Sequence, residues 1–167
     1  MIEMRIADIN ELAALENFLV LHGANQWNYL PTDGVKEQFQ RIFDGIDQCL
    51  VALSGEELVG IAIYRQPGDL PTLFTGHAGL ERAVYIAEVT VHEHWSGQGI
   101  GSSLLNDIAI TAKACGVNEL VIDRHEQNLA SAGMMRKVGF VEVDCFLDLE
   151  RRNTGNRKTT ILSLSLN

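Results

Sequence analysis

The stretch EVTVHEHWSGQGIGSSLL, from Glu88 to Leu105, decides the fold, because the chain changes from strand to helix within it. EVTV alternates like a strand, and the residues after the glycines have the apolar spacing of a helix. Between the two, Gly97, Gly99 and Gly101 stand at alternate positions. A glycine turn that opens a helix points several backbone N–H groups in one direction, at the positive end of the helix dipole. The stretch therefore predicts an anion site, with phosphate as the usual ligand.

Length and composition are those of one globular domain: 167 residues, 46% hydrophobic and 21% charged. The formal net charge of −9, with only 13 lysines and arginines, argues against general nucleic-acid binding, which needs basic side chains on phosphates. No apolar run reaches the roughly 18 residues of a membrane helix, and the acidic N-terminal segment does not resemble a signal peptide. We expect a single cytoplasmic domain over residues 1–167, with neither nucleic acid nor membrane as a partner.

Metal and disulfide chemistry is not expected. Cys49, Cys115 and Cys145 are far apart, and each is interpreted as a small apolar core residue. His92 and His94 have the spacing of a metal-binding pair, but no third or fourth ligand stands nearby in the sequence. We therefore interpret both histidines as solvent-facing loop residues.

Hydrophobic periodicity and turn residues divide the chain into the order β-α-α-β-β-β-α-β-α-β-β. A loop is predicted over residues 23–34, with a short helix after it, and a hairpin turn at residues 54–55. The strand-helix-strand unit from Val84 to Asp123 predicts one parallel pair. The predicted fold class is α/β (α+β): one domain with a mixed, mostly antiparallel sheet of about seven strands, flanked by about four helices.

A dinucleotide-binding fold is the first interpretation of the glycine loop to weigh. Gly97, Gly99 and Ser102 nearly match G-x-G-x-x-G/A, and Asp123 ends the next strand about 20 residues later, where a ribose-binding acid is expected. The loop, however, lies past the middle of the chain and follows an antiparallel hairpin. Too few strand-helix units remain after Asp123 to build a doubly wound sheet, so this interpretation is disfavoured.

The same stretch resembles the acyl-CoA-binding signature of the GNAT superfamily of acetyl-CoA-dependent N-acetyltransferases. That signature, R/Q-x-x-G-x-G/A, follows a strand that ends in valine; here Val91 ends the strand and SGQGIG at residues 96–101 occupies the six positions. The second signature of the family is matched by Asn128, Ser131, Lys137, Gly139 and Phe140. Two motifs in the right order, within a matching order of elements, make the resemblance specific between about Glu88 and Phe140.

The resemblance implies how acetyl-CoA would be bound. The glycine loop would hold the pyrophosphate through backbone amides, and the preceding strand would splay from its parallel neighbour to admit the pantetheine arm. Backbone groups of Val89 and Val91 would pair with that arm, and an amide near Val91 would polarise the thioester. Asn128 also fits a plain helix N-cap. The implied coenzyme-binding residues are Val89, Val91, Gly97, Gln98, Gly99, Ile100, Gly101, Ser102, Asn128 and Ser131.

Two positions depart from the family pattern. Ser96 stands where arginine or glutamine is usual, which removes a side chain beside the pyrophosphate, and Arg136 or Lys137 is the alternative source of charge. Met135 stands where many members carry a tyrosine thought to protonate the departing thiolate, and a thioether cannot donate a proton. Tyr64 and Tyr85 are left as unplaced donors. These departures keep a second hypothesis open, a non-catalytic coenzyme A-binding or regulatory module.

A general base is needed to deprotonate the acceptor amine. Glu88 lies on the strand that leads into the loop, where the family often has a carboxylate, and desolvation would raise its pKa into a useful range. The alternative for Glu88 is a salt-bridged or rim carboxylate. His125 ends the following strand and titrates near neutrality, so it is a second candidate.

The resemblance implies that the acceptor end is built from two loop segments, residues 22–33 and 68–81. Trp27 and Tyr29 would form an aromatic wall against the amine, and Asp33 would contribute to the same site. Alternatively, the two aromatic residues pack against the core and anchor the loop. The predicted function is transfer of the acetyl group of acetyl-CoA to a primary amine of a small molecule or peptide, by direct attack in a ternary complex. A homodimer is possible, since dimers are common in the family.

Overall fold

A single sheet with helices on both faces organises the molecule. The computed structural model describes residues 1–74, 76–77 and 82–167, and within these ranges it has seven strands and four α-helices. The strands are β1 (Ile2–Ile6), β2 (Asp47–Ser54), β3 (Glu57–Arg65), β4 (Val84–Val91), β5 (Glu119–His125), β6 (Val141–Leu147) and β7 (Lys158–Ser165). The helices are α1 (Leu12–Gly23), α2 (Thr32–Phe43), α3 (Ile100–Ala114) and α4 (Leu129–Val138). The predicted order of elements is confirmed.

The sheet has the strand order β1-β2-β3-β4-β5-β7-β6. Every neighbouring pair is antiparallel except β4 and β5, which confirms the mixed, mostly antiparallel sheet. The parallel pairing is short, since it joins only Val84–Ile86 to Leu120–Ile122. Beyond that point β4 stays paired with β3 and β5 with β7, and a register shift in β4 leaves Ala87 as an extra residue opposite β3. The two strands therefore diverge toward their C-terminal ends.

Alternating strand residues separate two hydrophobic cores. On β2, Leu50 belongs to the core under α3 and α4, while Val51 belongs to the core under α1 and α2. The helices bury residues spaced three and four apart, as an amphipathic helix does. The buried hydrophobic residues of the helices are Leu15, Phe18 and Leu19 of α1, Val35 and Phe39 of α2, Ile100, Leu104, Leu105, Ile108 and Ala112 of α3, and Ala132 and Met135 of α4.

Two sequence-based details are wrong. Helix α2 begins at Thr32, so the predicted loop ends earlier than residue 34. Pro31 is extended and its carbonyl accepts the amide of Val35 at 3.0 Å, which starts the helix one turn sooner. Of the three cysteines only Cys49 is buried; the other two are exposed, one just past α3 and one on the outer strand β6. Across the described ranges, the model contains no helix that has both the length and the apolarity to cross a membrane.

Candidate active site

A cleft of about 1020 Å³ opens where β4 and β5 diverge. The glycine loop and the first turns of α4 form one end of it. The α1–α2 loop and the connection between β6 and β7 form the other. Apart from Gln98 and Asp33, all predicted site residues line this cleft: Trp27, Tyr29, Glu88, Val89, Val91, Gly97, Gly99, Ile100, Gly101, Ser102, His125, Asn128 and Ser131.

The glycine loop has the backbone shape that an anion needs. Gly97 and Gly99 have φ of +78° and +81°, in the left-handed region that side chains disfavour. Gly99 is the N-cap of α3, and its carbonyl accepts the amide of Ser103 at 3.0 Å. The amides of Ile100, Gly101 and Ser102 precede this first helical donor, so they are available to a ligand. These residues line the cleft, and their arrangement suits a pyrophosphate.

A lysine lies beside the loop. The Lys137 ammonium is 3.5 Å from the point where a Cβ on Gly99 would stand. Ser96 is exposed at the start of the loop, and Lys137 also lines the cleft. Lys137, from the last turn of α4, therefore places a positive charge near the position where Ser96 supplies none. Arg136 is exposed and does not line the cleft.

The open edge of β4 suits an extended ligand. After Ile86, no strand among the described residues pairs with β4 on the side of β5, although β4 remains paired with β3. Val89 and Val91 lie on this stretch and line the cleft. An extended amide chain such as the pantetheine arm can pair with such an edge as a short extra strand. Across the gap, the Asn128 side chain caps α4 by accepting the amide of Ser131 at 3.2 Å.

Glu88 lies half-buried in the cleft at the point of divergence. Burial raises the pKa of its carboxyl to about 7, and the negative charge of Asp123 adds to this rise. A hydrogen bond from Asn28 and the positive charges of Arg151 and Arg152 act in the opposite direction. The Asn28 amide donates to Oε2 at 3.4 Å. A carboxyl with this pKa is substantially ionised at neutral pH yet remains basic enough to accept a proton from an amine.

Sequence reasoning missed Asn28. It lies between Trp27 and Tyr29, and its side chain also donates to the carbonyl of Gly23 at 2.9 Å. The one available signal is that an amide stands between two aromatic residues in a segment already assigned to the acceptor. The contact with Glu88 joins residues 60 positions apart, which no local pattern reveals.

His125 is held in place through both ring nitrogens. Nδ1 accepts the amide of Gln127 at 3.0 Å, and Nε2 lies 2.8 Å from the carbonyl of Thr154, to which it can only donate. The ring is buried and packs against Trp27, with centroids 4.7 Å apart. Because neither nitrogen is left for substrate, this geometry opposes the predicted base role and favours a structural one.

The predicted acceptor residues have different positions. Trp27 is half-buried on the cleft wall, whereas Tyr29 is 66% exposed at the rim. Asp33 is exposed in the first turn of α2 and does not line the cleft. Of the second predicted segment, residues 71–73 line the cleft, while residue 75 and residues 78–81 lie outside the described residues.

An arginine pair that sequence reasoning also missed borders the acceptor end. Arg151 and Arg152 each donate to the same oxygen of Asp123 at 2.8 Å. Arg152 also donates to Thr159 at 2.8 Å, and the Thr159 hydroxyl donates to Asp148 at 2.7 Å. The sequence pattern indicated only a polar turn here. Asp123 is engaged by arginines of its own chain, which is a further argument against a ribose-binding role.

Met135 places a thioether where many members of the family carry a tyrosine, so this position supplies no proton donor to the cleft. Met135 is 3% exposed and packs in the core under α3 and α4. Of the tyrosines considered as donors, Tyr64 belongs to the same core and does not line the cleft, while Tyr85 does line it. Burial raises the pKa of Tyr85 strongly, so its hydroxyl stays protonated at neutral pH.

Known acetyltransferases resemble this chain in sequence and fold, in agreement with the geometry of the cleft. The model of the acetyltransferase (GNAT) family matches residues 10–140. The L-methionine sulfoximine/L-methionine sulfone acetyltransferase of Pseudomonas aeruginosa is 30% identical over 81% of this chain and 76% of its own. The L-amino acid N-acyltransferase MnaT of Escherichia coli is 29% identical over 82% of this chain and 76% of its own. The fold is that of Salmonella typhimurium yncA, solved with acetyl-CoA, at a TM-score of 0.74 and 23% identity over 100% of this chain and 95% of that one.

Proposed function

The chain belongs to the GNAT acetyltransferase family, and we propose that the acceptor of this acetyl-CoA-dependent N-acetyltransferase is the α-amino group of a free amino acid or a close analogue. The relatives of similar sequence that act on amino acids support this acceptor. The observation that carries the proposal is the position of Glu88. It is a half-buried carboxyl with a pKa of about 7, at the divergence of β4 and β5, between the glycine loop and the acceptor loops.

The donor end would bind acetyl-CoA mainly through backbone groups. The amides of residues 97–102 would hold the pyrophosphate, and Lys137 would add a positive charge beside them. The open edge of β4 at Val89 and Val91 would pair with the pantetheine arm and bring a backbone amide toward the thioester oxygen. When bound, the coenzyme supplies an activated acyl group.

The acceptor end would deprotonate and orient the amine. Glu88 would take the proton of the incoming ammonium group, directly or through one water, and Asn28 would hold the carboxylate in position. Trp27 would cover one side of the amine and limit the access of water. Because donor and acceptor would meet in one continuous cleft, the amine would attack the thioester carbonyl directly. The new C–N bond would replace the C–S bond, and coenzyme A would leave as its thiolate and take up the second proton lost by the nitrogen.

Turnover of acetyl-CoA, followed as free thiol, tests the proposal against a panel of amino acids, methionine sulfone, dipeptides, simple amines and polyamines. Coenzyme A binding is measured by calorimetry in parallel. Turnover with free amino acids is expected. Turnover confined to dipeptides or polyamines would overturn the amino-acid acceptor, and binding without any turnover would favour the non-catalytic module.

A homodimer and a cytoplasmic location are part of the same proposal. The outer strand β6 supports the dimer, because six of its seven residues are exposed, including Val141 at 62% and Leu147 at 58%. Within the described residues β6 pairs with β7 alone, so its outer edge is open, and the same strand of a second copy would cover that edge. Light scattering of the wild type and of Val143→Lys measures this; a wild-type monomer would contradict it.

A further inference from the structure

The cationic side chains that line the cleft differ in how completely other residues of the protein pair with their charge and hydrogen-bond donors. Arg41 and Arg65 share the buried carboxylate of Asp47, near the N-terminal end of β4. Arg124 is buried and donates to two carbonyls and to Glu142. Lys137 lies at the glycine loop. These cations are therefore either neutralised or distant from the acceptor loops.

Arg151 and Arg152 are also paired within the chain, at Asp123, but they border the acceptor end of the cleft, and the two are not equivalent. Arg152 is buried, with hydrogen bonds to Asp123 and Thr159. Arg151 is 39% exposed along its side chain; within the described ranges that side chain donates one hydrogen bond, to Asp123, and its other terminal nitrogen lies 3.7 Å from a carboxylate oxygen of Asp148. A guanidinium has five N–H donors, so most of those of Arg151 remain available to a ligand in the cleft.

Arg151 and Glu88 face the same part of the cleft from different elements. Glu88 extends from β4, and Asp123 holds Arg151 against the diverging end of β5. The charge of Arg151 is among those that stabilise the ionised form of Glu88, so the two groups are within electrostatic reach. In an amino acid, one carbon separates the amine from the carboxylate, so an amine at Glu88 brings its carboxylate toward Arg151.

We infer that Arg151 binds the carboxylate of the acceptor, so that the enzyme selects amines with an adjacent free carboxylate over amides and simple amines. This inference rests on the proposed function, since it requires an amino-acid acceptor. Arg151 is a specificity-determining residue here. It offers charge-assisted hydrogen bonds to a carboxylate, and Asp123 holds its guanidinium in place before substrate arrives.

Steady-state kinetics with matched acceptors test the inference. The amino acid of the panel with the highest kcat/KM is compared with its carboxamide and with the amine that lacks the carboxylate. Wild-type enzyme should prefer the amino acid by at least about tenfold in kcat/KM, the value of one charged hydrogen bond. Arg151→Gln should remove this preference mainly through a higher KM for the amino acid. Because the charge of Arg151 also lowers the pKa of Glu88, its loss affects every acceptor at neutral pH. The ratio of kcat/KM for the amino acid to that for its amide is therefore compared at about pH 9, where Glu88 is ionised in both proteins. This ratio should fall toward one in Arg151→Gln, and Arg151→Lys should restore part of it.

Lys158→Gln is the matched control, because it removes a positive charge near the same connection from an exposed residue that does not line the cleft. Equal use of acid and amide by the wild type would overturn the inference even if Arg151→Gln failed to fold. A preference that survives in Arg151→Gln would overturn it as well. Failure of the proposed function looks different, since no amino acid of the panel would then be turned over.

Discussion

The two ends of the cleft are built in different ways. The proposed coenzyme end comes from two short continuous segments, residues 96–102 and 128–137, and presents mostly backbone groups. The proposed acceptor end brings together Asn28, Glu88, Asp123 and Arg151 from four separate parts of the chain and presents side chains. Recognition by backbone is therefore encoded locally, whereas recognition by side chains depends on how distant segments pack.

The largest effect is expected at the acceptor end. Glu88→Gln removes the proposed base, and kcat/KM should fall about 100-fold or more, while coenzyme A affinity stays within about twofold. In the wild type the rate should rise with pH through about 7, since only the ionised carboxylate accepts a proton; this rise should disappear in the variant. Glu119→Gln, at the other end of β5 and outside the cleft, is the control. An unchanged pH profile in Glu88→Gln would exclude Glu88 as the base.

At the coenzyme end, Gly99→Val should weaken coenzyme A binding about tenfold. A β-branched residue at φ +81° costs roughly 1–2 kcal/mol, and the loop would move to relieve the strain. Gly116→Val is the matched control, because Gly116 has φ +83° just past the opposite end of α3 and does not line the cleft. Both variants should lose stability, but only the first should lose affinity in calorimetry. Equal affinities would refute the role of the loop.

The ionised form of Glu88 should also lower the free energy of unfolding, an effect that is expected at the acceptor end of the cleft and not at the coenzyme end. Its folded pKa of about 7 lies above its ordinary value of 4.5, so the folded protein favours the protonated form. The ionised carboxyl therefore destabilises the fold progressively between pH 4.5 and 7, and fully above pH 7. Glu88→Gln should raise the free energy of unfolding by about 1–3 kcal/mol at pH 8 and leave it unchanged at pH 4. Urea denaturation at the two pH values measures this, and a gain of equal size at both would contradict the assigned cause.

The smallest effect is expected from the lysine beside the loop. Lys137→Ala should weaken coenzyme A binding about two- to fivefold at low salt, and less at high salt, as for an exposed charge pair. Arg136→Ala, next to it but outside the cleft, should leave affinity unchanged. Adding Ser96→Arg to Lys137→Ala should restore affinity by returning a positive charge to the loop. Equal losses in the two alanine variants would indicate a general effect of net charge instead.

Sequence reasoning succeeded where the signal is local. Two apolar runs on either side of a turn predict strands β2 and β3, and the glycines that open α3 predict its N-terminus. It failed at Thr32, because Pro31 starts α2 earlier than the apolar pattern suggested. The roles of His125, Asn28 and Arg151 depend on contacts over 29, 60 and 28 positions, which a local pattern does not contain.

The sequence by itself determined the order of elements, the family and the position of the glycine loop, because periodicity, capping and glycine conformation act over a few neighbouring residues. Only the tertiary structure decided the chemistry of the acceptor end. Divergence of β4 and β5 buries Glu88 enough to raise its pKa, packing against Thr154 and Gln127 occupies His125, and Asp123 fixes Arg151 at the cleft. Burial and the pairing of charges are properties of the assembled fold, since they depend on which distant groups come into contact.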